Sequence, residues 1–157
     1  MKGRLLFSAL AFFVMAAPSA AFASPEGRAA PFGLWLTQSG RAIVRIAPCD
    51  AAPAKACGRI AWLREPLDNV GQAKTDRNNH DETLRNAPLC STELVKSFGR
   101  SDDGTWSGMI YNPRDGKSYA AKITADPGQL VLRGYVLLPI FGKAQTWTRV
   151  ADDRGGC

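Results

Sequence analysis

Gly33-Leu34-Trp35-Leu36-Thr37, close to the front of the chain, and Thr146-Trp147-Thr148-Arg149-Val150, close to its end, decide the fold. Both are short alternating runs bounded by turn residues, which is the pattern of strands rather than helices. In a closed antiparallel barrel the first and last strands lie side by side, because closure removes the free edges. A tryptophan on the first strand can then plug one end, and an arginine on the last strand can lie across its ring and donate to nearby carbonyls. Gly33, Trp35 and Arg149 are the expected closure set.

The stretches between these runs keep the period of two. Arg41 to Ala47 places Ala42, Val44 and Ile46 on one face, and Ile43 and Arg45 on the other. Pro48 to Ala56 reads as a connection, and Gly58 to Arg64 resumes as a strand with Ile60 and Trp62 sharing a face. Residues 65–89 are polar and rich in Pro, Asp, Asn and Gly, which predicts one long loop with a short helical turn near residues 81–85. Strands are then expected over Thr92 to Phe98, Thr105 to Tyr111, Ser118 to Thr124, Gln129 to Leu137 and Lys143 to Val150. Asp102-Asp103-Gly104, Asn112-Pro113-Arg114-Asp115-Gly116 and Asp126-Pro127-Gly128 are the turns, where proline presets φ and glycine accepts positive φ. The sum is an all-β chain, a single eight-stranded antiparallel up-and-down barrel over residues 33–150 with one long polar loop.

The chain has 157 residues, 45% hydrophobic and 22% charged, with a net charge of +6. That suits one globular domain and leaves no room for a second. The start, Met1-Lys2-Gly3-Arg4, is basic, Leu5 to Ala17 is apolar, and Ala21-Phe22-Ala23 has the A-x-A form of a cleavage site. Residues 1–23 are therefore read as a secretory signal, too short in its apolar part to span a bilayer. Removing them leaves 134 residues and +4. Residues 24–32 form an N-terminal lead and 151–157 a C-terminal tail. The expected location is periplasmic or secreted. The basic residues are scattered singly, which argues against a nucleic-acid partner. No transmembrane segment is expected in the exported part.

Cys49, Cys57, Cys90 and Cys157 all fall in the exported part, and an even count there reads as disulfides. Four cysteines allow three pairings; Cys49 with Cys57 and Cys90 with Cys157 is the one favoured. On the chain-entropy picture the two loops are worth about 2.6 and about 4.4 kcal/mol. No metal is expected, since close Cys pairs are missing and His80 is remote from the cysteines.

Longer phrases carry a resemblance. They are Pro48-Cys49, Cys57-Gly58-Arg59-Ile60-Ala61-Trp62-Leu63, Glu65-Pro66-Leu67-Asp68, Lys74-Thr75-Asp76, Asn78-Asn79, Leu84-Arg85 and Pro88-Leu89-Cys90. Further on come Ile110-Tyr111-Asn112-Pro113, Asp115-Gly116-Lys117, Arg133-Gly134-Tyr135 and Gln145-Thr146-Trp147-Thr148-Arg149. Together they resemble the bacterial exported domain-of-unknown-function family 2147, and the G-x-W with a late arginine resembles the lipocalin-like (calycin) superfamily. The resemblance implies a small exported lipocalin-like barrel. The chain departs from it at His80, where a proline is expected after the asparagine pair, and in its last seven residues.

Catalytic chemistry is hard to place. His80 lacks a marked nucleophile, and Asp76, Asn78, Asn79 and Asp81 lack the glycine and glutamate of a calcium loop. The chain is read as a non-enzyme without cofactor. The favoured function is an envelope protein that binds a small, partly apolar ligand, with Trp62, Trp106, Tyr119 and Tyr135 as candidate walls. The alternative is a protein-interaction or structural module with a filled barrel, and an enzyme is the reading with least support. Val136 to Gly142, an apolar turn, would close the barrel end or line a docking mouth.

Overall fold

The computed structural model describes residues 29–135 and 142–157. The signal segment, the beginning of the lead and the apolar residues 136–141 lie outside the described residues. The strands, in chain order, are β1 (Gly33–Leu36), β2 (Ala42–Cys49), β3 (Ala52–Leu63), β4 (Glu93–Arg100), β5 (Trp106–Asn112), β6 (Lys117–Ala125), β7 (Gln129–Tyr135) and β8 (Lys143–Val150). Each pairs antiparallel with the next, and β8 returns to β1, so the sheet is a closed up-and-down barrel of eight strands. Among the described residues the one helical element is a short 3₁₀ turn, Glu82–Leu84.

Alternation sorts the side chains. On β6, Ala121, Ile123 and Ala125 are fully buried, whereas Lys122 and Thr124 between them are half-exposed. Leu130 and Leu132 of β7 and Val44 and Ile46 of β2 face the same interior, and four large rings, Trp35, Phe98, Trp106 and Trp147, join them in one core. An eight-strand barrel is just wide enough for side chains to fill. The apolar area removed from water is its main stabilising force.

Closure has a specific chemistry. Trp35 and Arg149 stand directly opposite each other across the β1–β8 seam. The guanidinium lies 4.2 Å from the Trp35 ring centre. Its Nη1 donates to Phe32 O at 3.0 Å and its Nε donates to Pro127 O. The Trp35 indole N–H donates to Pro31 O at 2.7 Å. Gly33 sits at φ +131°, and a Cβ there would collide with the Arg149 guanidinium. Glycine two residues before the tryptophan is thus required twice, by conformation and by space. The lead crosses the same end: Ala29 N donates to Ala125 O, and the Phe32 ring meets Trp106 edge-on at 5.7 Å.

Two local expectations are corrected. Pro48 to Ala56 is not a separate connection. The strands continue to Cys49 and from Ala52, leaving only Asp50 and Ala51 at the turn, so the Cys49–Cys57 bond spans a hairpin. Ile60 and Trp62 do not share a face. Val44 pairs with Ile60 and Ile43 with Trp62, so Ala61 is an extra residue in the ladder, and this bulge turns Trp62 away from the core. Trp62 instead lies half-exposed under Arg154, 4.9 Å from its guanidinium.

Substituting Trp35→Ala is expected to cost about 3–5 kcal/mol. Arg149→Lys, which keeps the charge and loses the fork, should cost about 1–2 kcal/mol. Urea midpoints at unchanged slope read both.

Candidate functional site

The polar segment after β3 is folded against the barrel. Two isolated bridges, Leu67 with Ala73 and Thr75 with Pro88, organise it. The Asp68 carboxylate accepts from the backbone N–H groups of Gln72 (2.9 Å) and Val70 (3.0 Å), which holds its pKa below the ordinary value of 3.8. Asp81 caps the 3₁₀ turn by accepting from the Thr83 hydroxyl and N–H, with the same effect on its carboxyl.

One buried pair fixes this segment to the wall. Tyr111, next after Ile110 on β5, is 6% exposed and belongs to the same buried cluster as Trp106, and its hydroxyl reaches the loop. Its hydroxyl donates to the carboxylate of Asp76, at 2.8 and 2.7 Å to the two oxygens, and Asp76 is only 2% exposed. Asn79 Nδ2 donates to the same carboxylate at 2.7 Å. Lys96 Nζ stands 4.9 Å from the centre of the Tyr111 ring. Burial, followed by the facing Asp76 carboxylate, pushes the Tyr111 hydroxyl far above its ordinary pKa.

The β5–β6 turn completes the cluster. Asn78 Nδ2 donates to Pro113 O and Arg114 O at 3.2 and 2.9 Å. Gly116, at φ +68°, is packed on the Asn78 carbonyl so closely that a Cβ would overlap it. Asp115 accepts from the Tyr119 hydroxyl (2.7 Å), Lys117 N (3.0 Å) and Asn112 Nδ2 (2.9 Å). The Tyr119 bond is the main cause of a lowered Asp115 pKa and also raises that of Tyr119.

Two open depressions flank this cluster. One, of about 750 Å³, lies between the loop and the turn, with Asp68, Val70, Lys74, Arg77, Leu89 and Arg114 in its lining. The other, of about 670 Å³, is lined by His80 of the loop, by Gly116, Lys117, Ser118, Tyr119 and Ala120 at the start of β6, and by Tyr135 at the end of β7. The four ring residues singled out as walls therefore separate. Tyr119 and Tyr135 both contribute to the lining of the second depression, from opposite faces of the β6–β7 pair. Trp106 is in the core, 5% exposed, its indole N–H without an acceptor among the described residues. Trp62 is on the outer face beneath the tail. Cys49 bonds to Cys57 and Cys90 to Cys157. No helix of the described residues is long and apolar enough to cross a membrane.

The sequence pattern of a family described as "Uncharacterized protein conserved in bacteria (DUF2147)" matches residues 33–149. The chain belongs to that family. No curated protein sequence matches it. A similar solved structure is that of HP1028 from Helicobacter pylori, described as belonging to the lipocalin family. It has 21% identity and a TM-score of 0.63, over 78% of this chain and 84% of that one. At that identity the likeness is one of fold: a lipocalin-like barrel.

The Asp76–Tyr111 pair was not visible in the sequence, since its partners are 35 residues apart. The signal that could have found it lies in the family phrases themselves. Lys74-Thr75-Asp76, Asn78-Asn79, Ile110 to Pro113 and Asp115 to Lys117 all converge on this one cluster.

Tyr111→Phe removes a donor from a buried carboxylate and is expected to cost about 1–3 kcal/mol. Hydrogen exchange should then speed up across residues 74–89 while the Trp35 strand stays protected. The lowered pKa values of Asp68, Asp81, Asp103 and Asp115 set a pH dependence. Stabilisation from their ionised forms is complete above the unfolded value of 3.8 and is lost as pH falls through the lower folded values. The thermal midpoint should drop in that acid window, and the drop should be smaller in Asp115→Asn.

Proposed function

We propose that this barrel is exported to the bacterial envelope and binds one small, partly apolar ligand, held in the depression lined by Tyr119 and Tyr135. That both residues line one depression at the rim of the barrel carries the reading. They offer apolar faces and polar tips, while His80, Lys117 and Ser118 supply hydrogen-bonding groups beside them. The volume lies in the range of small-molecule sites. The signal-like residues 1–23 and the two disulfides support an oxidising compartment. The role is binding rather than catalysis, with no metal or cofactor and no nucleic acid involved. Analogy with lipocalins adds a general expectation for the fold and identifies no ligand. A second reading, an interaction module with a filled barrel, has its own support in the four large rings occupying the core.

Native mass spectrometry of protein purified from its own host is the test. The carrier reading expects a retained small molecule. Affinity for it should fall about tenfold, about 1.4 kcal/mol, in Tyr135→Ala and stay unchanged in Trp62→Ala. A clean unliganded mass, with no thermal shift across a panel of lipids and metabolites, would reject the carrier in favour of the filled module.

A further inference from the structure

The last seven residues take no part in either depression, yet their path is closely defined. β8 ends with Val150 opposite Leu34 of β1. Asp153 then accepts from Arg45 of β2 at 2.7 Å. Arg154 covers Trp62 of β3, and Cys157 bonds to Cys90, which precedes β4. The tail thus crosses the outside of β1, β2 and β3 as a strap. On this face Ile43 is fully buried although it lies outside the core cluster, with Leu36 and Trp62 as its cross-strand neighbours.

The noncovalent ties of the strap are of the kinds that hold weakly. The Arg45–Asp153 pair is solvent-accessible, with side chains 56% and 31% exposed, and such pairs contribute little. Arg154 (φ +55°), Gly155 (+89°) and Gly156 (+74°) run consecutively through left-handed conformations, one of them in a residue that does not favour it. The disulfide is therefore the bond on which the strap depends. Its two ends also differ in access. Cys157 is exposed and Cys90 half-buried, whereas in the hairpin Cys49 is only 7% exposed.

We propose that Cys90–Cys157 is a thiol–disulfide exchange site that takes a dithiol reductant and releases the strap. One thiolate of the dithiol attacks Cys157 Sγ, the Sγ–Sγ bond breaks, and Cys90 leaves as thiolate. The second thiol of the reductant then closes its own disulfide and frees Cys157. Two electrons pass from the dithiol to the protein, and the two protons it loses end on the two cysteines. Cys49–Cys57 resists the same reagent, because Cys49 is buried, although Cys57 is half-buried like Cys90, and because a broken pair eight residues apart on one hairpin re-forms readily. Release uncovers the Trp62 and Ile43 surface. This inference is independent of the ligand depression.

The test is graded reduction of the purified protein with dithiothreitol, followed by alkylation mapping and hydrogen exchange. Cys157 and Cys90 should be labelled at least about tenfold faster than Cys49 and Cys57. Exchange should rise in residues 42–45 and 60–63 while the barrel still melts cooperatively. Cys157→Ser should show the same exchange pattern without reductant, and Trp62→Phe should abolish the tryptophan fluorescence change that accompanies reduction. Simultaneous loss of both disulfides, or unchanged protection of 42–45 and 60–63 once the Cys90–Cys157 bond is broken, overturns the proposal.

Discussion

The barrel depends on the seam where its last strand meets its first, and the seam depends on Arg149 over Trp35. Eight strands paired in order would otherwise leave two exposed edges, each a row of unpaired backbone groups. One arginine joins the indole face of β1, the carbonyl of Phe32 in the lead and the carbonyl of Pro127 in the β6–β7 turn. A lysine could not make these contacts together, because they use the planar fork of the guanidinium. The glycine at 33 is the space the arginine occupies. Three residues separated by most of the chain are therefore one device.

The two ends of the barrel differ as a result. The Trp35 end is shut by the lead, the arginine and the Phe32–Trp106 contact. Near the opposite end the chain spends its polar residues on a second device, Asp76 beneath the loop with Tyr111 and Asn79. A carboxylate that is only 2% exposed is costly unless its oxygens are occupied, and here two donors, the Tyr111 hydroxyl and Asn79 Nδ2, reach them. The loop is tied to the wall by this pair, and its residues contribute to the walls of both depressions.

Most of the architecture was legible because it rests on local signals. Alternation over Ser118 to Thr124, the turn at Asn112 to Gly116 and the G-x-W each express a backbone requirement in neighbouring residues. The site was less legible. Strict alternation puts Trp62 on the face of Ile60, and one extra residue at Ala61 reverses it, since a bulge shifts every later side chain to the other side. Trp106 and Tyr135 carry equally good ring signals, but one packs into the core and the other faces the rim. Ring type cannot distinguish those fates without the register.

The two disulfides illustrate the same difference between local and distant constraint. Cys49–Cys57 ties two strands that the β2–β3 ladder already holds together, so its mechanical contribution duplicates the hydrogen bonds around it. Cys90–Cys157 ties a segment that belongs to no strand. Its loop is the longer, so the chain-entropy argument assigns it the larger stabilisation. Yet the structure it ties is a tail over Trp62 rather than the barrel, whose closure rests on Trp35 and Arg149. Stability of the barrel and cover of that face are thus separable: one is set by packing and a guanidinium, the other by a bond at the end of the chain.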